Sequence, residues 1–398
     1  VLLGFKDDFP IEGRRVVVTG VGAISCAGAG AQALWSALLD GISPEDRHVS
    51  PFDATHLGGP KELRRLDPFT LFALAAADEA WIQSGLNSSL ANAASVIATG
   101  IGGLQTLTEQ FSVLSDRGSN RVSPFMIPMM MPNAAAAAVS MRFGTRGPCE
   151  TIATACAAGT HAIGHAARMV ASGRVEVAIT GGAEAVMTPL SMAGFANMTA
   201  LSSSGQSRPF DVNRDGFVMG EGAGVLILES HDHATARGAT ILAEIRGAAS
   251  TADAYHLTAP DPDGVGAVEC MRLALIDAQM EHLDIDHINA HGTSTPLNDR
   301  AESSAISTVF GTHRPPVTSV KGYLGHSLAA AGALEAVVSV LTLQHQTVPA
   351  TQGTTQVDPE IEIDVVLGQP RAHRVRNVLS NSFGFGGHNG CLIIGQPR

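Results

Sequence analysis

Segments that read as strands and segments that read as helices alternate along nearly all of this 398-residue chain, in two rounds that echo each other. "RRVVVTGVGAIS" (14–25) is a basic entry, a buried strand and a glycine turn, and a helix pattern covers 31–40. "DPFTLFALAAADEAWIQSG" (67–85) is an amphipathic helix with Pro68 at its first turn and Gly85 at its stop. "ASVIATGIGG" (94–103) and "VEVAITGGAE" (175–184) are strands, and "GEGAGVLILES" and "ATILAEIRGAAS" read as two adjacent ones. The second round is fainter. It has a helix over 266–280, the strand of "HINAHGTS", a strand and loop in "PPVTSVKGYLGHS" and a long apolar helix over 327–343. Two strands around a glycine loop close it, in "RVRNVLSNSFGFGGHNGCLIIG". Such alternation implies an α/β protein with mostly parallel sheets covered by helices. No low-complexity linker divides the rounds, and we place the joint near residue 240, between halves 14–240 and 241–398. "VTGVG" is a poor dinucleotide loop. Its spacing is G-x-G-x-x-S, and no acidic residue ends a strand about 20 residues on.

Apolar residues make up 45% of the chain, enough for a large core. Acidic residues outnumber basic ones 37 to 25, for a net charge of −12. That argues against nucleic acid and anionic membrane as main partners, since both reward a basic surface. The cysteines (Cys26, Cys149, Cys156, Cys270 and Cys391) are odd in number and irregularly spaced, with no C-x-x-C pair. This excludes a disulfide framework or zinc ribbon and fits a reducing compartment. The most apolar stretch, "PFMIPMMMPNAAAAAV", carries three prolines and is too short to span a bilayer. With no visible signal peptide, a soluble cytoplasmic protein is expected. The chain begins at Val1, and whether that is the native N-terminus is left open.

One cysteine keeps unusual company. In "ATACAAGTHAIGHAARM" (153–169), Cys156 sits among small residues at what reads as the first turn of a helix. The unpaired N–H groups and positive dipole there favour thiolate over thiol and donate to an oxyanion formed beside them. The strand "TIATA" feeding directly into Cys156 makes an elbow of the kind that carries activated nucleophiles. A buried structural cysteine is the commoner fate of a free thiol, and this segment alone divides the two readings evenly. His161 and His165 stand four apart on the same helix. With no HExxH pattern and no third ligand nearby, packed histidines are favoured over a metal pair, and no metal is expected.

Two of the fifteen histidines lie at chain reversals where a side chain can face a cleft: His291 in "NAHGTSTPLND" and His326 in "KGYLGHS". From Ser327 to Leu343 the only charge is Glu335. A buried carboxylate needs a partner, and Lys321, just before the helix, is the natural one. Gly332 costs about 1 kcal/mol in a helix interior, which suggests close contact with another backbone. In "NSFGFGGHNG" (381–390), glycines let a backbone N–H approach a ligand, and one such group could complete an oxyanion hole with the N–H of Cys156. An ordinary hairpin is the alternative.

Five segments in order, "ATACAAGTHAIG", "SRPFDVNRDGFVMGEGAGVLILE", "NAHGTSTPLND", "VKGYLGHSLAAAGALE" and "NSFGFGGHNG", resemble the β-ketoacyl-[acyl carrier protein] synthases of the type II elongating class. The likeness covers nearly the whole chain from about residue 14. It implies a thiolase fold, with two similar halves stacked in five αβαβα layers, usually as a homodimer. It implies a Cys-His-His site of Cys156, His291 and His326, with Lys321 and Glu335 as supporting charges. Phe385 matches the residue that gates the acyl pocket and shares the oxyanion hole. Thr293 and Thr295 match contacts to the phosphopantetheine arm. Ile101, Phe195 and the segment from Met126 to Met131 match the acyl-pocket lining, the last crossing the dimer interface in the family. Lys61, Arg64 and Arg65 match residues that dock an acidic carrier protein, and Arg121 adds to them, whereas a further docking arginine is replaced by Thr199.

The implied chemistry moves an acyl chain from carrier protein to Cys156, then joins it to an enolate made by decarboxylating malonyl carrier protein. Decarboxylation drives the step, so no metal or redox cofactor is required, and the phosphopantetheine arrives on the carrier. Neutral histidines with N–H on Nε2 suffice. Gly322, Asn298 and His388 depart from the commoner family residues, and they leave fatty-acid and polyketide use both open. Rival readings are a polyketide ketosynthase needing a related partner subunit, a thiolase acting on coenzyme A esters with Cys391 as second cysteine, and a silent scaffold subunit.

Overall fold

The computed structural model describes residues 13–87 and 91–398; Val1 lies outside them. Ten strands carry the architecture: β1 (Val16–Ser25), β2 (Ala93–Ala98), β3 (Cys149–Glu150), β4 (Val177–Glu184), β5 (Gly222–Ser230), β6 (Ala243–Ala252), β7 (His287–Asn289), β8 (Pro316–Thr318), β9 (Asn377–Gly384) and β10 (His388–Gly395). Their lateral order is β8-β7-β9-β10-β6-β1-β5-β4-β2-β3, with Asp364–Val365 added beyond β8 and Gly28–Ala29 pairing with β1. Each set of five therefore runs third, second, fourth, fifth, first. The two sets meet where β1 pairs antiparallel with β6, Val16 opposite Ile245.

The sheet is mixed, not mostly parallel as alternation suggested. Within each set, the first three strands of the lateral order pair parallel, and the fourth and fifth add antiparallel pairings. The reason is plain for β9 and β10. Only residues 385–387 join them, too few for a crossover. Nor are β5 and β6 neighbours, because β1 lies between them and pairs with both.

Helices make the other three layers: α1 (Pro68–Ser84), α2 (Ala158–Ala171), α3 (Val265–Ala278) and α4 (Ala331–His345). The first covers β1 and β5 from outside, and α3 covers β6 and β10. Between the two strand sets lie α2 and α4, each touching both. The molecule is thus the five-layer αβαβα thiolase fold. The segment Leu328–His345 is long and apolar enough to cross a membrane, yet 89% of it is buried, as a helix packed on both sides must be.

Glycines set the closest approaches. In "VTGVG", β1 continues through Gly20 and Gly22, with a bulge between Val18 and Gly20, instead of turning after them. A Cβ on either would lie 2.0 Å from a carbonyl of α1, so these glycines seat a helix on a strand. Gly332 lets α4 approach α2, since a Cβ there would meet the Thr160 hydroxyl at 2.2 Å and its backbone nitrogen at 2.9 Å.

Candidate active site

Cys156 does not follow a strand directly. After β3 ends at Glu150, residues 151–154 are irregular, and Ala155–Ala157 form a 3₁₀ turn that opens into α2. Ala155 has φ of 49°, a left-handed conformation that an L-residue adopts at a cost, and it turns the chain sharply just before the sulfur. The N–H groups of Phe385 and of Cys156 itself face that sulfur. A Cβ on Gly384 would fall 3.0 Å from the Cys156 nitrogen and 3.1 Å from that of Ala157, so glycine keeps this N–H corner open. Burial pushes the thiol up to about 11, against the pull of the Lys321 charge and those N–H groups. Desolvation thus opposes the helix terminus that made thiolate the expectation.

The cysteine lines a cleft of about 520 Å³ together with His291, His326, Thr293, Thr295 and Phe385. His291 follows β7 and His326 follows the helical turn Lys321–Leu324, so the second half of the chain supplies both. Their rings stand edge to face, centroids 5.3 Å apart. Phe383 packs edge-on against His291, and Phe217 against His326. Burial holds both imidazoles well below their ordinary pKa, and the Lys321 charge adds to this, so they are neutral near pH 7. Nδ1 of each is buried with no partner among the described residues. Placing the proton on Nε2 leaves Nδ1 as a bare acceptor, the cheaper group to strand.

Lys321 donates to Glu335 and, at 2.6 Å, to the carbonyl of His291. Both charged side chains are buried in full. Thr293 and Thr295 hydroxyls lie 2.9 Å apart on the cleft wall. Phe195 lines the cleft and packs edge-on against Phe217. Ile101 and Met126 do not reach it. Ile101 is 41% exposed, and Met126 opens a short helix, Met126–Met130, in a segment where Phe125, Ile127 and Met131 are exposed. Lys61, Arg64, Arg65 and Arg121 are all exposed, and Arg65 lies over the Phe125 ring at 4.2 Å. Thr199 sits in the cleft wall. Cys391 is not in that wall; it is buried in β10, its thiol against Asn381 Oδ1 at 3.2 Å. His165 pairs with Glu150, and no cluster of metal-ligating side chains occurs among the described residues.

Glu302 escaped the sequence reading. Its carboxylate accepts the N–H groups of His291 and Gly292 at 2.8 and 2.7 Å and so fixes the turn that aims His291. Asp299 and Glu302, three apart on a helix, share a buried face, and that spacing was the available signal.

These buried groups predict a particular acid response. His287, His291 and His326 are neutral when folded, with His287 pushed down to about 3 by burial. The unfolded chain takes up their protons below about pH 6.5, so each removes about 1.4 kcal/mol per pH unit as pH falls. Glu184 and Glu302, raised to about 7, and Asp299, raised to about 6, act oppositely: their share of stability is lost as pH rises from about 4 to those values. The two sets oppose between about pH 5 and 6.5, and the histidines prevail below. Urea midpoints are expected to fall less steeply across that window than under about pH 4.5; a uniform decline from pH 6.5 would contradict it.

A turn-borne cysteine with backbone donors at its sulfur, facing two neutral histidines, defines an acyl-transferring enzyme of the thiolase-fold class. Residues 45–234 match the beta-ketoacyl synthase N-terminal domain and 242–355 its C-terminal domain. The chain belongs to the β-ketoacyl synthase family. It is 46% identical to a 3-oxoacyl-[acyl-carrier-protein] synthase 2 of Synechocystis, covering 96% of this chain and 98% of that protein. Among solved structures it resembles the ishigamide ketosynthase/chain length factor, with TM-score 0.90, 34% identity and coverage of 97% of this chain and 100% of that one. It also resembles a type II polyketide ketosynthase solved with its acyl carrier protein, with TM-score 0.88, 32% identity and the same coverages.

Proposed function

We propose that this protein is a 3-oxoacyl-[acyl carrier protein] synthase that lengthens a fatty-acid-type chain by two carbons. The observation that carries this is the convergence of Cys156, His291 and His326 on one cleft, with two N–H groups facing the sulfur. In the first half-reaction the sulfur attacks the thioester carbonyl of an acyl carrier protein. The N–H groups of Cys156 and Phe385 hold the oxyanion, and the thiol proton leaves with the departing carrier thiol. In the second, His291 and His326 donate from Nε2 to the thioester carbonyl of malonyl carrier protein. The bond to the carboxylate breaks, CO₂ departs, and its electron pair becomes an enolate. That enolate attacks the acyl carbon and expels the Cys156 sulfur as thiolate, which takes a proton from water. Neutral imidazoles suit this, because they stabilise the enolate without fully protonating it. No redox change occurs, so the reaction asks for no metal or redox cofactor beyond the carrier's phosphopantetheine arm.

Lys61, Arg64, Arg65 and Arg121 are proposed to receive the acidic carrier on an enzyme of net charge −12. The exposed apolar face around Ile101 and Met126 supports burial against a second subunit, which would bring those residues to the acyl pocket. We place the protein in the cytoplasm and the joint between its halves near residue 240, a position supported by the repeated strand order. Polyketide use, alone or with a related subunit, is the second reading, favoured by the two structural neighbours. A thiolase is disfavoured by the buried Cys391.

The test is intact-mass spectrometry with a panel of acyl carrier thioesters, followed by malonyl carrier protein. An adduct on Cys156 that discharges to a β-ketoacyl product is expected, and the preferred panel member separates fatty-acid from polyketide use. No adduct, or one that is never discharged, would favour a partner-dependent subunit or a non-elongating acyltransferase. Gly384→Ala should slow acylation about 10²-fold, the effect of losing one oxyanion donor. Its urea midpoint should also fall, because the added methyl presses on backbone atoms of the Cys156 turn. An unchanged acylation rate would remove Gly384 from the account.

A further inference from the structure

His161, the fourth residue of α2, has no part in the chemistry above, yet both its ring nitrogens are engaged. Nδ1 lies 2.7 Å from the hydroxyl of Thr154, and Nε2 lies 3.0 Å from the carbonyl of Asn389. A carbonyl can only accept, so Nε2 carries the proton and Nδ1 accepts from the threonine hydroxyl. Thr154 directly precedes the strained Ala155 and lies two residues before Cys156. Asn389 stands opposite Phe383 in the hairpin whose loop carries Phe385, and its side chain is tied to Asp253 at 2.7 Å. The ring thus bridges the two chain segments whose N–H groups face the sulfur. Room for it is built in: a Cβ on Gly390 would fall 2.9 Å from Nε2. Burial lowers the imidazole's pKa, so the neutral form that accepts from Thr154 persists at neutral pH.

We propose that His161 is a positioning residue that sets the spacing between the Cys156 turn and the Phe385 hairpin, and so the oxyanion hole for acylation. The proposal rests on the synthase reading above. It makes the two half-reactions separable. Acylation needs the hole, whereas decarboxylation of malonyl thioester leans on His291 and His326, which His161 does not touch. Displacing a reacting group by about 1 Å is enough to cost on the order of 10²-fold in rate.

The experiment compares wild type, His161→Phe, Thr154→Val and the double variant. It measures single-turnover acylation of Cys156 by an acyl carrier thioester and malonyl carrier decarboxylation. The phenylalanine variant should acylate about 10²-fold more slowly while decarboxylating within about twofold of wild type. Thr154→Val should slow acylation less. The double variant should be no slower than His161→Phe, because both remove one link. His161→Asn, which can still accept from Thr154, should recover part of the rate. Unchanged acylation, parallel loss of both activities, or multiplying effects in the double variant would overturn the proposal. If His161→Phe does not fold, Thr154→Val decides alone by the same split. Wild type inactive in both assays would instead sink the synthase reading.

Discussion

Cys156→Ala is expected to abolish condensation, by on the order of 10⁴-fold or more, while malonyl carrier decarboxylation survives. The estimate follows what removal of a covalent nucleophile costs when the rest of the site stays in place. The separation follows from the geometry. The sulfur sits on the first half of the chain, and the imidazoles come from the second, buried against Phe217, Phe383 and each other. Alanine at 156 leaves the Cys156 and Phe385 N–H groups and both rings in place, so a malonyl thioester still meets its donors. The measurement is CO₂ release beside product formation. His291→Ala with His326→Ala should give the converse, an acyl adduct that is never discharged. Loss of both activities in Cys156→Ala would show that the sulfur also organises the decarboxylating half.

Lys321→Met should be the most destabilising single change in the site, lowering unfolding free energy by about 3–5 kcal/mol. Removing one partner of a buried ion pair leaves the other uncompensated. Here that partner is Glu335, whose second oxygen already lacks a hydrogen bond among the described residues. The same change frees the carbonyl of His291 and removes a charge that depresses both imidazoles. Their pKa values should rise, and the acid limb of the decarboxylation profile should move to higher pH. Lys321→Met with Glu335→Leu should recover most of the stability, because an apolar replacement of a buried pair is often neutral. It should not restore the pH profile. Urea titration and the pH–rate profile together check this. A double variant as unstable as Lys321→Met would refute the ion-pair explanation.

The legibility of this site varied with the kind of evidence each residue leaves. Lys321 and Glu335 were paired from sequence because a lone charge in an apolar helix has few places to go. Gly332 announced a close approach for a similar reason, a local cost that something must offset. Glu302 was missed because its role is to accept two backbone N–H groups, and nothing in a run of residues shows which amides lack partners. The thiolate expectation at Cys156 weighs the helix terminus and not the burial, which pushes the thiol the other way. Burial depends on what packs from elsewhere in the chain.

Strand and helix periodicity, written in adjacent residues, determined the α/β class by itself, and the family's motifs pointed to Cys156, His291 and His326, which line one cleft. Tertiary structure alone decided the mixed strand directions and the burial of Cys156. It also placed His161 between Thr154 and Asn389, 228 residues apart from the latter in sequence. Each of these depends on contacts between segments far apart in the chain, where direction, distance and desolvation are set by packing.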